Sequence, residues 1–423
     1  MGFQESLDFL YGLQKFGIKL GLENIRALLD GAGRPQQAYA ALHVAGSNGK
    51  GSVCAALAEI LRRSGRRVGL YTSPHLHAFV ERIRIDGVPI SEAEIIQLTA
   101  ELRDRTAGIP ATFFEFTTAL ALLGFARRQV EYAVLETGMG GRLDATNVVL
   151  PQVTVITSIC RDHVEHLGSD PAAIAAEKGG IIKQGVPVVI GPQRPEVEAV
   201  LLEIARERQA PAVLCGRDFS FAAAGSSGFN FHGLGVELEN LQPALAGAHQ
   251  HENLALALAA AAVLRRRGAD LPLSALRQGV EQVCWPGRLE WWRGERVILL
   301  DGAHNEGGAV VLADYLGSLK GRCRWVAAIK RGKAVEQILA PLLPLAAAVY
   351  ATVLPVEQAV PPEELVAAAR DAGVPARAFA EPTEALRAAL RERREGETVL
   401  VAGSLFLVAV AREWLSAREN SAS

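Results

Sequence analysis

Short apolar runs alternate with amphipathic stretches along the first two thirds of the 423-residue chain. The runs rich in valine and isoleucine predict buried strands, namely Ala41–Ala45, Val68–Thr72, Tyr132–Glu136, Val153–Ile159 and Val186–Ile190. Apolar residues at helical spacing predict helices between them, namely Ser52–Arg63, Ser91–Arg105, Thr117–Arg127, Ile174–Ile182 and Pro195–Gln209. Strands of this kind separated by helices form parallel sheets with helices on both faces. The pattern therefore predicts an α/β fold.

The pattern changes twice further along the chain. Residues 211–240 carry turn-forming residues around alternating phenylalanines, which predicts a small antiparallel excursion before an alanine-rich helix at Leu254–Arg267. The helical pattern then breaks near Trp285–Arg288, and predicted strands resume at Val297–Leu300, Trp325–Ile329, Ala347–Thr352, Ala376–Phe379 and Val399–Ala402. We therefore predict two domains, residues 1–284 and a smaller Rossmann-like α/β domain at 296–423, joined by a linker at 285–295.

The most informative motif lies at residues 43–52, His-Val-Ala-Gly-Ser-Asn-Gly-Lys-Gly-Ser. A strand, a glycine-rich loop and a helix follow one another here, an arrangement whose backbone N–H groups cradle a polyphosphate. Lys50 would reach the outer phosphates, and Ser52 would bind a phosphate or its Mg²⁺. The alternative is a βα turn that is merely rich in glycine. We favour a nucleoside triphosphate site, and hence a parallel sheet like that of phosphate-loop ATPases in the first domain.

Composition narrows the classes of function. The formal net charge is −2, from 44 basic and 46 acidic residues, so no overall field favours nucleic acid or an anionic membrane as a partner. Each apolar run is too short to span a bilayer. The five cysteines form no Cys-x-x-Cys pair, which argues against a disulfide framework and for a reducing cytoplasm. We expect a monomer, because the sequence has no evident exposed apolar stripe.

Further polar side chains follow predicted strands, where open parallel sheets bind their ligands. Glu136 precedes a glycine-rich run, and its carboxylate suits Mg²⁺, which prefers oxygen ligands; the alternative is a turn or capping acid. His163 follows Val153–Ile159 and suits either a ligand or an ordinary hydrogen bond. The run 71–76, Tyr-Thr-Ser-Pro-His-Leu, offers hydroxyl groups to a metal or forms a simple proline turn. Lys178, judged by composition alone, is typical of a solvated helix residue.

Three arginines and one polar cluster complete the candidate chemistry. In the second domain, the run Asp-Gly-Ala-His-Asn at 301–305 suits nucleotide or substrate contact, or a turn that caps a helix. Arg288 could bind phosphates. Arg82 and Arg84 alternate along a predicted strand, which fits a solvated position as well as a functional one.

Together these motifs resemble folylpolyglutamate synthase and its bifunctional bacterial form, which is also a dihydrofolate synthase, within the Mur-type amide-bond ligases. The motifs span nearly the whole chain in one order, namely HVAGSNGKGS (43–52), YTSPHL (71–76), TFFEF (112–116), LETGMGGRLDATN (135–147), DH (162–163), EKGGIIK (177–183), GAHQHEN (247–253), WPGRLE (285–290), DGAHN (301–305) and GSLFLVA (403–409). That family's phosphate loop also places a glycine between the lysine and the hydroxyl residue.

The resemblance implies an ATP-dependent ligase that adds L-glutamate to dihydropteroate, to folates and their polyglutamates, or to both, through an acyl phosphate. ATP would lie between the domains, in contact with Ser47, Asn48, Gly49, Lys50, Gly51, Ser52, Asn253, Arg288 and Asp301. Mg²⁺ would be held by Ser73, Glu136 and His163, and a monovalent cation such as K⁺ is a further candidate cofactor. The pterin substrate would contact Thr112, Phe113, Phe114, Glu115, Leu143, Asp144 and Ala145.

The resemblance also implies three catalytic residues, Lys50, Lys178 and His304. Lys178 matches the lysine that this family carries as a CO₂-derived carbamate, and His304 would help to place the incoming glutamate. Two other functions stay open. A Mur-type ligase for a cell-wall precursor is less favoured, because no extra domain precedes the phosphate loop. A regulator without catalysis would bind ATP but release no ADP in response to glutamate.

Overall fold

The chain divides into two compact units. The computed structural model describes residues 2–17, 19, 21–160, 168, 170–225, 227–292, 297–332, 335–354 and 359–420. The first unit comprises residues 1–244 and 250–284, and the second comprises 245–249 and 285–423. The short segment 245–249 belongs to the second unit, which the sequence pattern did not predict.

Each predicted strand and helix has a counterpart in the described residues. The α-helices are α1 (Phe3–Gly12), α2 (Glu23–Gly31), α3 (Lys50–Arg63), α4 (Glu92–Arg105), α5 (Phe113–Arg127), α6 (Pro171–Gly179), α7 (Pro195–Glu207), α8 (Ala248–Arg266), α9 (Leu273–Gln282), α10 (Glu306–Ser318), α11 (Val335–Leu342), α12 (Pro362–Asp371), α13 (Pro382–Glu392) and α14 (Leu405–Asn420). The strands are β1 (Ala40–Ala45), β2 (Val68–Tyr71), β3 (Ile83–Ile85), β4 (Val88–Pro89), β5 (Tyr132–Glu136), β6 (Pro151–Ile156), β7 (Val188–Ile190), β8 (Ala212–Leu214), β9 (Phe219–Ala224), β10 (Gly228–Gly233), β11 (Val236–Leu241), β12 (Glu290–Trp291), β13 (Ile298–Asp301), β14 (Cys323–Ala327), β15 (Ala346–Thr352), β16 (Ala376–Phe379) and β17 (Thr398–Ala402).

Helices α3, α5, α6 and α8 begin earlier than their apolar pattern predicts, and capping accounts for the start of α5 and of α6. Helix α5 begins at Phe113 because Thr112 caps it, with a side-chain oxygen that accepts from the N–H of Glu115. Helix α6 begins at Pro171 because Asp170 caps it and proline fits the first helical position. Capping residues decide these starts, so apolar spacing alone placed both too late.

The first unit is built on an eight-stranded sheet. Its order is β4-β3-β2-β5-β1-β6-β7-β8, and β2, β5, β1, β6, β7 and β8 are parallel. Helices cover both faces: Ala133 and Leu135 of β5 pack into one core with residues of α1, α2, α4 and α5, whereas Val134 points the other way, towards the face that carries α3. The carboxyl ends of β1, β2, β5 and β6 therefore meet at one edge of the sheet.

The first unit also holds the expected antiparallel excursion, a three-stranded sheet of order β11-β10-β9. Its inner face is apolar, with Phe219 and Phe231 stacked at 5.9 Å between ring centroids. Helices α8 and α9 follow it in the chain. Within the described ranges, no helix is long and apolar enough to cross a membrane.

The second unit is a six-stranded sheet of order β12-β13-β17-β14-β15-β16. All its pairs are parallel except the one between β12 and β13. Trp325 and Ala327 of β14 are buried in one core with α10, α11 and α12, and α13 and α14 lie against the sheet as well. The carboxyl end of β13 carries Asp301 into a loop that leads to α10.

Candidate functional site

Two glycines shape the loop between β1 and α3. Gly46 and Gly49 have φ angles of +150° and +86°. A Cβ on Gly46 would lie 1.8 Å from Oγ1 of Thr157, and one on Gly49 would lie 2.1 Å from Oδ1 of Asn253. Only glycine permits both the backbone conformation and the close approach. Asn253, which the sequence assigned to ATP from a distant motif, thus lies directly against the phosphate loop.

The loop is held in place by the end of β6. The N–H of Ser47 donates to the carbonyl of Ser158 at 2.9 Å, and its hydroxyl donates to the carbonyl of Cys160 at 2.8 Å. The hydroxyl of Thr157 donates to the carbonyl of Asn48 at 2.6 Å. Ser47 and Asn48 therefore use their polar groups to fix the loop, and the α3 N-terminus behind it is a ready anion site.

Two lysines meet at one carbonyl of this loop. Nζ of Lys50 donates to the carbonyls of Gly46 at 2.9 Å and Ser47 at 3.0 Å. Nζ of Lys178 donates to the same Gly46 carbonyl at 2.8 Å, and the residue is only 2% exposed. The interpretation of Lys178 as a solvated helix residue is therefore wrong. Both amines therefore lie at the phosphate loop.

Helix α6 is held against the loop after β5, which is how Lys178 comes to the phosphate loop. The N–H of Arg142 donates to the carbonyl of Glu177 at 2.7 Å, and the two side chains form an ion pair. Gly141 is needed here, since a Cβ would lie 2.7 Å from the carbonyl oxygen of Lys178. The predicted motifs 135–147 and 177–183 thus pack against one another.

Two of the three expected metal ligands lie together. Glu136 ends β5 and is 6% exposed, and its Oε2 accepts from the N–H of Ser73 at 3.0 Å. A carboxylate beside a serine suits a hard divalent cation, which prefers oxygen ligands. His163 lies outside the described residues, and among those described no group of three His, Cys, Asp or Glu could hold a metal. The donors present fit Mg²⁺.

Asp144 supports the loop after β5 from within. One of its oxygens accepts from the N–H groups of Gly138 and Met139, each at 2.9 Å. The other oxygen accepts from the N–H and hydroxyl of Thr146. Burial raises the pKa of Asp144, and these hydrogen bonds oppose the rise. The hydroxyl of Thr146 also contacts Nε2 of His43, whose pKa burial lowers to about 3, so His43 is neutral.

Some of the candidate pterin residues stabilise the local backbone, and others contribute aromatic rings. Thr112 and Glu115 satisfy each other as a capping box, with the N–H of Thr112 donating to the Glu115 carboxylate at 2.8 Å. The ring of Phe113 stacks on Tyr11 at 5.5 Å, and Phe114 lies where a Cβ on Gly138 would be. Two remaining members of the set differ in exposure: Leu143 is partly exposed and Ala145 belongs to the core.

Arg82, left open by the sequence, is buried beside these aromatic rings. It is 8% exposed, and burial lowers its pKa. Its Nε donates to Nδ1 of His75 at 2.8 Å, and its guanidinium lies 5.3 Å from the centroid of the Phe113 ring. The solvated alternative for Arg82 is therefore wrong, whereas Arg84 is only partly buried.

The candidate residues of the second unit form a turn rather than an open cluster. Asp301 is 7% exposed and accepts from the N–H groups of Leu289 and Ala303, both at 2.8 Å. Burial raises the pKa of Asp301, and the nearby charge of Arg288 opposes the rise. Nδ1 of His304 contacts the carbonyl of Gly302 at 2.8 Å, so Nδ1 carries the proton in that contact. The Asn305 side chain caps α10.

Several supporting residues were missed by sequence reasoning. Thr157 and Cys160 could have been found, because Thr157 lies near the end of a predicted strand of the same parallel sheet and Cys160 directly follows it. Gln250 accepts from the amide of Asn253 at 2.9 Å, and Asn24 donates to Glu115 at 3.4 Å. Gln250 lies within the motif 247–253 but no role was assigned to it there, and Asn24 lies in none of the quoted motifs, because each acts on a partner through tertiary packing.

Comparison with known proteins extends over the whole chain. Residues 44–261 match the model of the Mur ligase middle domain, and residues 287–405 match that of the Mur ligase, glutamate ligase domain. The chain is 33% identical to the dihydrofolate synthase/folylpolyglutamate synthase of Bacillus subtilis, over 98% of this chain and 99% of that protein.

Solved structures match as fully. One is Escherichia coli FolC in complex with DHPP and ADP, with a TM-score of 0.91 and 32% identity over 98% of both chains. Another is the bifunctional folylpolyglutamate synthase/dihydrofolate synthase of Yersinia pestis complexed with AMPPNP and Mn ion, with a TM-score of 0.89 and 31% identity over 98% of both chains. These matches confirm the predicted α/β fold class.

Proposed function

Because this chain belongs to the dihydrofolate synthase/folylpolyglutamate synthase family of Mur ligases, we propose that it joins L-glutamate both to dihydropteroate and to reduced folates. The predicted family and the predicted class of ATP-dependent ligase are confirmed by the family models and the full-length relatives. The range of acceptors, the site residues and the modification of Lys178 are proposals, and each has its own test.

The observation that carries the proposal is the meeting of Lys50 and Lys178 at the Gly46 carbonyl. A carboxylate does not react with an amine directly, because its leaving group would be oxide. Transfer of the ATP γ-phosphoryl group gives an acyl phosphate, and the glutamate amine then displaces phosphate. That transfer needs charge neutralisation and an in-line approach of the carboxylate. Lys50 and the N–H groups at the start of α3 supply a fixed positive environment for the phosphates.

Ser73 and Glu136 would hold Mg²⁺ at the same edge of the sheet, together with His163. The Yersinia relative complexed with AMPPNP and Mn ion supports a divalent cation here. Bound Mg²⁺ neutralises phosphate charge. The chain's own contribution is to fix the carboxylate, since the Ser73 N–H holds Oε2 of Glu136 at 3.0 Å.

In the second unit, we assign Arg288 and Asp301 to ATP and His304 to glutamate. The Asp301 carboxylate fixes two backbone segments, because it accepts hydrogen bonds from the N–H groups of Leu289 and Ala303. The side chain of His304 is fixed by the Gly302 carbonyl. This geometry supports a positioning role for the loop that follows β13.

Lys178 is proposed to carry a carbamate. Two ammonium groups on one carbonyl repel each other, and burial at 2% exposure makes a neutral amine less costly. The neutral amine adds to CO₂ and loses a proton, which gives an anion that still has one N–H. That N–H can keep the hydrogen bond to Gly46 while the new carboxylate faces the metal and phosphates.

The carbamate test uses two lysines of one segment. Lys178→Ala should lose most activity and regain part of it with added formate or acetate. Lys183→Ala is the control, because its Nζ donates only to the Asn147 carbonyl in a supporting contact at 3.0 Å. Labelled CO₂ should give a carbamate carbon signal in the parent protein and none in Lys178→Ala. An equal signal in both proteins contradicts the assignment.

The test of the function is a coupled ADP-release assay with dihydropteroate, a reduced folate, or neither acceptor, each with and without L-glutamate. We expect glutamate-dependent ADP release with both acceptors. Release with folate alone would refute the proposed breadth and leave the ligase class standing. ATP binding without glutamate-dependent release would refute the activity itself.

A further inference from the structure

Arg82 is a buried cation with no carboxylate in direct contact in the described part of the protein, although the charge of Glu136 acts on it from further away. The residue is 8% exposed, and no described carboxylate lies within 4.0 Å of its guanidinium. Its one hydrogen bond to a side chain runs from Nε to Nδ1 of His75, at 2.8 Å. Since that nitrogen accepts, the imidazole is neutral in this contact and adds no negative charge.

The outer end of the guanidinium is open. Neither terminal nitrogen of Arg82 is among the fully enclosed polar atoms that lack a partner, so both reach accessible space. Two aromatic rings lie beside the guanidinium, which is 5.3 Å from the Phe113 centroid and 6.0 Å from that of Phe79. Tyr11 stacks on Phe113 at 5.5 Å with an interplanar angle of 13°. The guanidinium therefore lies next to flat apolar rings, and its terminal nitrogens are not fully enclosed.

This opening belongs to the candidate site. The carbonyl of Arg82 accepts from the N–H of Thr72 at 3.0 Å, and the next residue, Ser73, holds the carboxylate of Glu136. The start of α5, with its candidate pterin residues, supplies Phe113. A ligand that stacks on these aromatic rings would contact the guanidinium of Arg82 close to Ser73 and Glu136, the residues assigned to the metal.

A lone buried charge is costly, and proteins normally pair it. Two terminal nitrogens with parallel N–H groups match the two oxygens of a carboxylate. The missing counterion is therefore a carboxylate that arrives with a planar aromatic group. We propose that Arg82 binds a carboxylate of the acceptor, and that His75 positions the guanidinium. This assignment rests on the proposed function, in which the acceptors are aromatic acids.

The experiment compares an acid with its neutral ester. Binding of a reduced folate and of its uncharged ester is measured by calorimetry in the parent protein, Arg82→Gln and Arg84→Gln. Arg84 is the matched control, because it lies two residues further along in a partly exposed position, where its Nε donates to the Glu81 carbonyl at 3.4 Å. We expect Arg82→Gln to weaken binding of the acid by about 10- to 100-fold and to leave ester binding unchanged. Arg84→Gln should change neither.

The melting temperature of the variant distinguishes a binding role of Arg82 from a structural role. Loss of an uncompensated buried charge should leave the melting temperature of Arg82→Gln unchanged or raised, whereas loss of a structural residue would lower it. Arg82→Lys keeps the charge but not the paired geometry, so it should bind the acid with intermediate affinity, and it serves if the glutamine variant does not fold.

Three results would overturn the assignment. The first is that Arg82→Gln weakens binding of the acid and of the ester equally, and the second is that its affinity for the acid is unchanged. The third is that Arg82→Gln raises the KM for ATP and leaves the KM for the acceptor unaltered, which would make Arg82 a phosphate contact. If the parent protein turns over both acceptors and Arg82→Gln binds them normally, only this assignment fails. If the parent protein binds neither acceptor, the proposed function fails with it.

Discussion

Gly49→Ala tests the geometry of the phosphate loop with a single methyl group. Gly49 has a φ of +86° and directly precedes α3, and its Cβ would lie 2.1 Å from Oδ1 of Asn253. Asn253 is 6% exposed, and its amide donates to the side-chain oxygen of the buried Gln250 at 2.9 Å. The asparagine must therefore move, and its hydrogen bond to Gln250 is lost.

The expected cost has two parts. A non-glycine residue in the left-handed region costs about 1–2 kcal/mol. A buried acceptor left without its donor costs a further ~1–3 kcal/mol. Gly49→Ala should therefore lower the free energy of unfolding by roughly 2–5 kcal/mol.

Gly65 offers a matched control on the same helix. It follows α3, has a φ of +81° and has no atom within 4 Å of the Cβ position. Gly65→Ala should therefore carry only the backbone cost of about 1–2 kcal/mol. The difference between the two variants isolates the contact with Asn253.

Urea unfolding followed by circular dichroism measures this difference. All five tryptophans lie in the second unit, so tryptophan emission follows that unit separately. The double variant Gly49→Ala/Asn253→Ala should cost less than the two single changes together, because the clash needs both side chains. If Gly49→Ala is no more destabilising than Gly65→Ala, or if the double variant is strictly additive, the close-contact argument is refuted.

Four further outcomes are expected. Lys50→Ala should abolish glutamate-dependent ADP release with an unchanged circular dichroism spectrum, since its amine contacts only loop carbonyls; normal turnover would remove the phosphate assignment. Glu136→Gln should raise the Mg²⁺ concentration needed for half-maximal rate, and an unaltered metal titration would make Glu136 structural. Asp144→Asn places an NH₂ group against buried donors and should lower unfolding free energy by about 2–4 kcal/mol in urea; a smaller change than in Asp30→Asn, an exposed control, would contradict this. Burial raises the pKa of Glu252 to about 7, from 4.5, so the folded state takes up a proton first as pH falls. The stability from Glu252 is therefore lost as pH rises from about 4.5 to about 7, by at most about 1.4 kcal/mol per pH unit, and Glu252→Gln should remove this slope in urea titrations at each pH.

Local and topological rules were sufficient for the framework of the site. Alternating apolar runs located the parallel strands, and parallel strands bring their carboxyl ends to one edge whatever the details of packing. That rule alone brings Ser73 and Glu136 to the edge where the phosphate loop begins. The glycines of the loop were visible because their role is local, in the turn between one strand and one helix.

The sequence did not predict which charged side chains are buried by elements that lie far away along the chain. Lys178 donates to a carbonyl 132 positions earlier in the chain, and nothing in the composition of α6 separates it from a surface lysine. Arg82 and Arg84 have the same chemistry but differ in burial: Arg82 is buried with its guanidinium 5.3 Å from the ring centroid of Phe113 in α5, whereas Arg84 is only partly buried. Hydrophobic periodicity records which face of an element is buried, but a charged residue gives no such signal. Its environment is decided by the elements that fold over it, and so only the tertiary structure could distinguish the two arginines.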